Sequence, residues 1–162
     1  EIGDGADLTI EGVRVRAVAN THYLSGSHAP DPAAAQSHSL RFELPGRSVV
    51  LTGDTGPSDA LIALARGADV LVSSILDLDA AVAAIRASRP DAPPAFFAAA
   101  RAHFAEHHLS PEAAGRLAQT AGVTRVVFTH IGITPARMKA ARTELARTWR
   151  GPSVFARDLG AY

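Results

Sequence analysis

Residues 48–59 read SVVLTGDTGPSD, and this stretch decides how the chain is organised. Four apolar or β-branched residues lead directly into Gly53 and Asp54, and Pro57 then begins a helical pattern. A short apolar run bounded by turn residues is typical of a buried strand. An acidic side chain at the carboxyl end of such a strand, just before a helix, lies where open α/β sheets bind their ligands. Asp54 is therefore a candidate functional residue, although aspartate is also common in glycine-rich turns.

The composition is that of an ordinary globular domain. The chain has 162 residues, 47% of them hydrophobic and 20% charged, which is enough for one domain with a real core. Sixteen basic and sixteen acidic residues give a net charge of zero, so the totals do not favour binding to nucleic acid or to an anionic membrane. The sequence has no cysteine, which excludes disulfides and thiolate metal sites. No apolar run approaches the roughly 20 residues of a membrane span, and residues 1–162 are predicted to form a single domain.

The pattern of apolar runs predicts a mixed sheet. Residues 8–44 contain alternating runs joined by turns, with a longer loop at 24–38, and such runs are typical of antiparallel strands. Residues 57–74 and 111–130 each contain a helix, a glycine and an apolar strand, and this alternation favours parallel strands. Helices are predicted at 57–66, twice within 77–106, at 111–121 and at 135–149, and further strands at 68–74, 123–129 and 152–156. We therefore predict an α/β fold in which a mixed sheet carries helices on its outside.

Histidines follow two further strand-like runs. His22 follows the run at 13–18, and His130 follows the run at 123–129. Together with Asp54 they would place two imidazoles and a carboxylate at one edge of the sheet, and these are ligands that zinc and similar divalent ions prefer. The three residues therefore predict a metal site, although a histidine taken alone is more often a surface imidazole.

Five short motifs carry a resemblance to one family. They are Asn20-Thr21-His22, Ser39-Leu40-Arg41-Phe42, Leu51-Thr52-Gly53-Asp54-Thr55, His108-Leu109-Ser110-Pro111-Glu112 and Phe128-Thr129-His130. In their order and spacing, from about residue 8 to the end, they make the chain resemble the second half of a metallo-β-lactamase-fold hydrolase. The single motifs are weak, but Thr-Gly-Asp-Thr followed by Thr-His is fairly specific. The resemblance implies one half of the family's αββα sandwich.

The resemblance also implies roles for individual residues. It makes His22 a ligand of a first metal ion, Asp54 a carboxylate that bridges two ions, and His130 a ligand of the second ion. The implied cofactor is a pair of Zn²⁺ ions, although another divalent metal would suit the same ligands. Asp54 and His108 would be the catalytic residues, because His108 resembles a histidine that polarises the substrate or protonates the leaving group. His107 is a weaker candidate for binding the substrate beside His108.

The chain departs from the family in one respect. The leading motif His-x-His-x-Asp-His, which supplies the remaining ligands, is absent from the sequence. Because the chain begins with Glu1 rather than Met, we expect a processed chain or a piece of a longer one. One face of its sheet should then need a partner, since soluble monomers avoid large bare apolar faces. We expect that partner to be the missing first half or a second copy of the chain.

The expected activity is hydrolysis of a small molecule, and the bond could be that of a β-lactam, a lactone, a thioester or a phosphodiester. A long nucleic acid is less favoured because the chain has no net charge. Two other classes stay open. The chain could be a degenerate half that binds or assembles without catalysis. Asp54 could instead be an aspartyl-phosphate nucleophile that uses magnesium, but this alternative leaves His22 and His130 without a role.

Overall fold

The computed structural model describes residues 2–23 and 36–162. Within these ranges it contains one mixed sheet and five α-helices, which confirms the predicted α/β fold. No helix in the described ranges is both long enough and apolar enough to cross a bilayer. Most of the predicted loop at 24–38, including His28, lies outside the described residues.

The elements follow one another across the sheet in chain order. The strands are β1 (Asp7–Ile10), β2 (Val13–Ala19), β3 (His38–Leu44), β4 (Arg47–Leu51), β5 (Val70–Leu76), β6 (Arg125–Gly132) and β7 (Ser153–Phe155). The helices are α1 (Asp59–Ala65), α2 (Leu78–Ser88), α3 (Pro94–His107), α4 (Pro111–Ala121) and α5 (Met138–Leu145), with a 3₁₀ turn at Pro135–Arg137 before α5. Strands β1 to β4 pair antiparallel, and strands β4 to β7 pair parallel. The hairpins of the first third and the parallel strands of the rest are therefore confirmed.

Local capping signals set the ends of two helices beside the sheet. The Ser58 hydroxyl accepts a backbone N–H at the start of α1, so this helix begins after Pro57 rather than at it. Ser110 caps α4 in the same way, and Pro111 occupies the first helical position, where its missing N–H costs nothing. Helix α4 ends at Ala121, and Gly122 caps it with a φ of 64°, a left-handed conformation that suits glycine.

The main core lies on one face of the sheet. The register pairs Val50 with Leu71 and Leu71 with Val126, and all three side chains are fully buried. They pack in one cluster with apolar residues of α1, α4 and α5, among them Leu61 and Leu117. These helices share a face because right-handed crossovers that each advance one strand in the same direction stay on the same side. Each large buried aliphatic side chain contributes about 1.5–3 kcal/mol to folding.

The opposite face of the sheet is apolar and only partly covered. Leu40 pairs with Leu51, Phe42 pairs with Val49, and Leu51 is in register with Val72 on the next strand. Four of these side chains are half-buried, and Leu51 is 36% exposed. We call these five residues the open face. A row of this composition is typical of a sheet face that packs against another layer.

The last predicted helix is wrong in length. The sequence predicts one helix over residues 135–149, but the helical segment is a 3₁₀ turn followed by α5, which ends at Leu145. The N–H groups of Thr148 and Trp149 both donate to the Leu145 carbonyl, which closes a tight turn in place of further helix. This turn brings the Trp149 side chain into the core, where it is 7% exposed.

Asp77 links the end of β5 to the 3₁₀ turn. Its carboxylate accepts the N–H of Ala80 at the start of α2 and a bond from Arg137 Nε, 2.7 Å away. Burial opposes ionisation of this carboxyl, but the hydrogen bonds from Arg137 and from the Ala80 N–H outweigh burial and hold the pKa of Asp77 below its usual value. A depressed aspartate pKa stabilises the fold above the unfolded-state value of about 3.9 and loses this effect as the pH falls through the folded-state value.

We predict that Asp77→Ala lowers the free energy of unfolding at pH 7 by about 2 kcal/mol, because it removes a helix cap and a charged hydrogen bond. Asp77→Asn should keep the cap, lose the charge and flatten the fall in stability below about pH 5. Urea unfolding at pH 7 and pH 4 measures both effects. Arg116→Ala, which removes an exposed pair with Glu112, serves as the control. Equal stability of Asp77→Ala and the control would contradict the prediction.

Candidate metal centre

Asp54 lies in the loop after β4, at the edge where the strands that run in its direction end. Its side chain is 25% exposed. Strand β2 runs parallel to β4 because two antiparallel steps separate them, so His22, just after β2, reaches the same edge. His130 comes from β6, and His108 directly follows the last residue of α3. Four separate segments therefore deliver their side chains to one place.

The histidines converge on the Asp54 carboxylate. Asp54 Oδ1 lies 3.0 Å from His108 Nδ1, and Oδ2 lies 3.4 Å from His130 Nε2 and 3.9 Å from His22 Nε2. One ligand atom from each of His22, Asp54 and His108 lies within 4.8 Å of the other two. About a fifth of the His22 and His108 side chains is exposed, at 20% and 21%, whereas 74% of the His130 side chain is exposed.

These distances fit a divalent metal ion that is bound by nitrogen and oxygen. Zinc bonds of about 2.0–2.2 Å at tetrahedral angles separate neighbouring ligand atoms by about 3.4 Å. The imidazole nitrogens lie 3.0 to 3.9 Å from the carboxylate oxygens of Asp54, which brackets that separation. The carboxylate also supplies the negative charge that a partly buried cation needs. The residues present therefore fit zinc.

His130 reaches Asp54 through an irregularity in β6. Its φ is 46°, in the left-handed region that residues other than glycine adopt only rarely. Ser73 pairs with Phe128 and Ile75 pairs with Ile131, so β6 has one residue more than β5 over this interval. An extra residue of this kind is a β-bulge, which bends the strand and redirects a side chain. The strand predicted to end just before His130 therefore continues through it to the end of β6.

Buried polar residues hold the backbone around the carboxylate. Asn20 is 2% exposed, and its Nδ2 donates to the Thr52 carbonyl at 3.1 Å. The Gly56 N–H donates to Thr21 Oγ1 at 3.0 Å. These bonds join the loop after β4 to the segment after β2, on both sides of Asp54. These bonds thus fix the relative position of the segments that carry His22 and Asp54.

A cavity of about 160 Å³ opens beside the carboxylate and is lined in part by Asp54, Ser74, His108 and His130. Ser74 is 5% exposed, and its hydroxyl has no hydrogen-bond partner in the part of the chain that the structure describes. A buried hydroxyl without a partner costs about 1–3 kcal/mol. Ser74 therefore lines this cavity and carries a buried hydroxyl that no described residue satisfies.

A second, wider cavity of about 670 Å³ lies on the side of the open face. Its lining includes His22, Asp54 and His130 together with Leu51 and Val72. The cavity therefore extends from the ligand cluster onto the open face.

The structure brings the predicted ligands His22, Asp54 and His130 into one cluster, and the predicted catalytic residue His108 lies beside them. Their roles as ligands and catalysts stay predictions. The tightest group by geometry contains His108 in place of the more exposed His130. The sequence pattern did not indicate that difference, because His108 is carried by a helix end and not by a strand.

His107, predicted to bind substrate, lies in a different environment. Its ring is 2% exposed, and its Nδ1 donates to the Thr21 carbonyl at 2.9 Å. The centres of the His103 and His107 rings lie 4.4 Å apart. Partial burial, together with the imidazoles of His107 and His108, lowers the pKa of His103. The prediction that His107 contacts substrate stays untested. The sequence did not single out Ser74 as a residue of this cavity, because a serine within a strand carries no local signal.

The sequence model of the Beta-lactamase superfamily domain matches residues 1–131. The chain belongs to this family. Ribonuclease BN of Escherichia coli O1:K1 / APEC is 35% identical to it over 92 residues, which are 57% of this chain and 24% of that protein. The chain thus spans about a quarter of the length of this relative.

Solved structures are similar over almost the whole chain. The metallo-β-lactamase fold protein YhfI from Bacillus subtilis has a TM-score of 0.66 at 18% identity, covering 96% of this chain and 52% of its own. Zn²⁺-bound PqqB from Methylobacterium extorquens has a TM-score of 0.61 at 19% identity, covering 98% of this chain and 53% of its own. At this identity the likeness shows the fold alone. The predicted metallo-β-lactamase-type fold is confirmed, and the chain corresponds to about half of each of these structures.

Gly56 provides a test of how the site is assembled. A Cβ atom at this position would overlap the Glu106 carbonyl oxygen at the end of α3 and would lie 3.0 Å from Thr21 Oγ1. We predict that Gly56→Ala lowers the free energy of unfolding by about 1–3 kcal/mol, because α3 must move away from the loop. Gly3→Ala, where no atom lies within 4 Å of the added Cβ, should change it by less than about 0.5 kcal/mol. Urea unfolding that finds the two variants equally stable would contradict this account.

Proposed function

We propose that this chain carries the metal centre of a metal-dependent hydrolase. The observation that carries the proposal is the convergence of three imidazoles on the Asp54 carboxylate, at 3.0 to 3.9 Å. Membership of the β-lactamase superfamily domain family supports it. The cluster borders a cavity, as a catalytic zinc site requires, whereas a structural zinc site is closed by four protein ligands.

Each residue has a defined part in this proposal. Asp54 Oδ1 faces His108 and Oδ2 faces both His22 and His130, so all three imidazoles share this carboxylate. The family resemblance, rather than this geometry, assigns Asp54 to a pair of zinc ions. His22 then holds one ion and His130 the other. Bound zinc supplies a hydroxide at neutral pH and stabilises negative charge on the substrate. His108 lines the smaller cavity and is assigned the proton transfer to the leaving group.

Ser74 is assigned a contact with the substrate. Ser74 lines the cavity that it shares with Asp54 and His108, and its buried hydroxyl lacks a partner within the described residues, so the side chain would turn toward the cavity to bind. A substrate oxygen that accepts a hydrogen bond from this hydroxyl would offset the cost of its burial. Binding of the substrate would therefore gain more from this serine than from an exposed one.

The proposed substrate is a small molecule with a phosphodiester bond. Similarity to Ribonuclease BN favours this bond over that of a β-lactam, a lactone or a thioester. The zero net charge disfavours a long nucleic acid, which basic proteins bind through many phosphate contacts. The two cavities, of about 160 and 670 Å³, suit a ligand of moderate size.

A non-catalytic half is the second candidate function. It is favoured by the absence of the His-x-His-x-Asp-His motif, since the chain then lacks ligands that the family supplies from its first half. The aspartyl-phosphate alternative is weaker, because Asp54 is surrounded by imidazoles that this chemistry does not need.

The open face supports a proposal about the partner. Leu51, Phe42 and Val72 belong to an apolar row that remains half-buried or exposed, and the chain covers about half of the structures it resembles. We propose that a second layer packs on this row, contributed by a second copy of the chain or by the missing first half. A layer of this kind would remove the apolar row from water.

Zinc affinity tests the proposed centre. We predict that Asp54→Ala weakens zinc binding by the 162-residue chain about 100-fold or more, because every histidine of the cluster loses the shared carboxylate. Competition with a chromophoric chelator measures the dissociation constant. Asp59→Ala, an exposed aspartate at the start of α1, is the matched control and should leave zinc affinity unchanged. Equal affinities of the two variants would overturn the proposed centre.

Substrates separate the two candidate functions. With zinc bound, bis(p-nitrophenyl) phosphate, a chromogenic cephalosporin and a lactone are offered to the chain, alone and mixed with a first-half domain of the family. Turnover of the phosphodiester that Asp54→Ala abolishes supports the hydrolase. Zinc binding without turnover under either condition supports the non-catalytic half instead.

Self-association tests the open face. We predict that the chain alone forms a dimer at micromolar concentration and that Leu51→Glu makes it monomeric, because a carboxylate cannot be buried in an apolar interface without a partner. Light scattering measures the mass. Leu159→Glu, at a side chain that is 107% exposed, should leave the dimer intact. A wild-type chain that is monomeric and also fails to bind a first-half domain would contradict the proposed second layer.

A further inference from the structure

His22, Asp54 and His108 form the closest group of possible metal ligands. The C-terminal end of α3, which leads into His108, contacts the segments that carry the other two residues. The Glu106 carbonyl lies against Gly56 in the loop after β4, and no Cβ atom fits between them. The next residue, His107, contacts the segment after β2, and His108 contacts the carboxylate of Asp54 itself. Three consecutive residues of one helix end therefore join the parts of the site.

His107 makes two hydrogen bonds with the segment that contains His22. Its carbonyl oxygen lies 3.2 Å from His22 Nδ1, and its own Nδ1 lies 2.9 Å from the Thr21 carbonyl oxygen. A carbonyl oxygen only accepts, so both imidazoles carry their proton on Nδ1 in these bonds. His107 thus holds His22 through its backbone carbonyl and Thr21 through its side chain.

This arrangement sets the state of the His22 ring. With its proton on Nδ1, the lone pair of the neutral imidazole lies on Nε2, which is the nitrogen 3.9 Å from Asp54 Oδ2. Metal-binding histidines usually donate their other ring N–H to a carbonyl or carboxylate, and this bond fixes the ring and its tautomer. The bond from His22 to His107 has that form.

Burial and a neighbouring ring restrict the position of the His107 ring. It is 2% exposed, and the His103 ring lies 4.4 Å from it at a tilt of 48°. The ring cannot leave the Thr21 carbonyl without depriving its own buried N–H of this acceptor, and an unsatisfied buried donor costs about 1–3 kcal/mol. The position of Thr21 relative to α3 is therefore fixed from inside the protein.

We propose that His107 is a positioning residue that holds the Thr21–His22 segment on the end of α3 and so keeps the lone pair of His22 Nε2 directed toward Asp54. The proposal rests on the proposed metal centre for its purpose, but its geometry lies entirely within the protein. It gives His107 a part in metal binding without any contact with metal or substrate.

The test compares His107→Gln with His107→Asn in the 162-residue chain. An Asn side chain places its amide near the position of the histidine Nδ1 and can donate to the Thr21 carbonyl, whereas the longer Gln side chain places its amide near the position of Nε2. Long-range ¹H–¹⁵N correlation spectra of the metal-free protein report the tautomer of His22. We expect the Nδ1–H form in the wild type and in His107→Asn, and a mixture of tautomers in His107→Gln.

Zinc affinity is the second measurement. We expect His107→Gln to weaken zinc binding about 10–100-fold, which is the usual effect of losing a residue that orients a ligand, and His107→Asn to recover most of it. Phe97→Ala is the control for general destabilisation, because this buried residue lies in the same helix about 15 Å from His107. It should lower stability and leave the His22 tautomer unchanged.

A wild-type tautomer in His107→Gln, or an equal change in Phe97→Ala, would overturn the proposal. If the wild-type chain binds no zinc, the proposed metal centre fails, while the tautomer of His22 still decides whether His107 positions it. The two proposals therefore fail separately.

Discussion

The negative charge of Asp54 at a partly buried sheet edge is the constraint on which the site depends. Three imidazoles have a nitrogen within 3.9 Å of its oxygens. A cation bound among them would balance the charge of the carboxylate and accept the lone pairs of the imidazoles. The surrounding hydrogen bonds do not neutralise this charge; they fix where it lies. Asn20 and Thr21 hold the backbone of the loop on both sides of Asp54, which fixes the point from which the carboxylate extends. Such preorganisation reduces the cost of ordering the ligands on binding.

The topology of the sheet supplies both the site and the open face. Strands β2, β4 and β6 run in one direction, so their carboxyl ends meet at one edge and bring His22, Asp54 and His130 together. The same regular order sends α1, α4 and α5 to one face, since each crossover advances by a single strand. The order of the described strands never reverses, and a reversal is what would place helices on the other face. A layer that is complete on one side and apolar on the other follows directly.

The sequence predicted those parts of the fold that depend on local signals. The apolar run before Asp54 and the Ser110 cap were sufficient to locate a strand and a helix, because turn and capping chemistry acts within a few residues. The bulge that directs His130 was not predictable, since it depends on the register between β5 and β6. The burial of His107 was also beyond the pattern: α3 is rich in alanine, and the segment that covers this ring is 86 residues away in the chain. The early end of the last helix was likewise not predictable, since the turn after Leu145 accompanies burial of Trp149 against the core, which is a tertiary effect.

The proposed metal centre and the open face are physically connected through the wider cavity. That cavity is lined by His22 and His130 at one end and by Leu51 and Val72 at the other, so a layer that covers the apolar row also forms a wall of the site. Such a layer would exclude water from the carboxylate and strengthen its electrostatic interactions, since these grow as the local dielectric falls. Ligand positions, by contrast, are set by hydrogen bonds within the described chain. The positions of His22, Asp54, His108 and His130 therefore depend on this half, whereas the exclusion of water from them depends on what covers the open face.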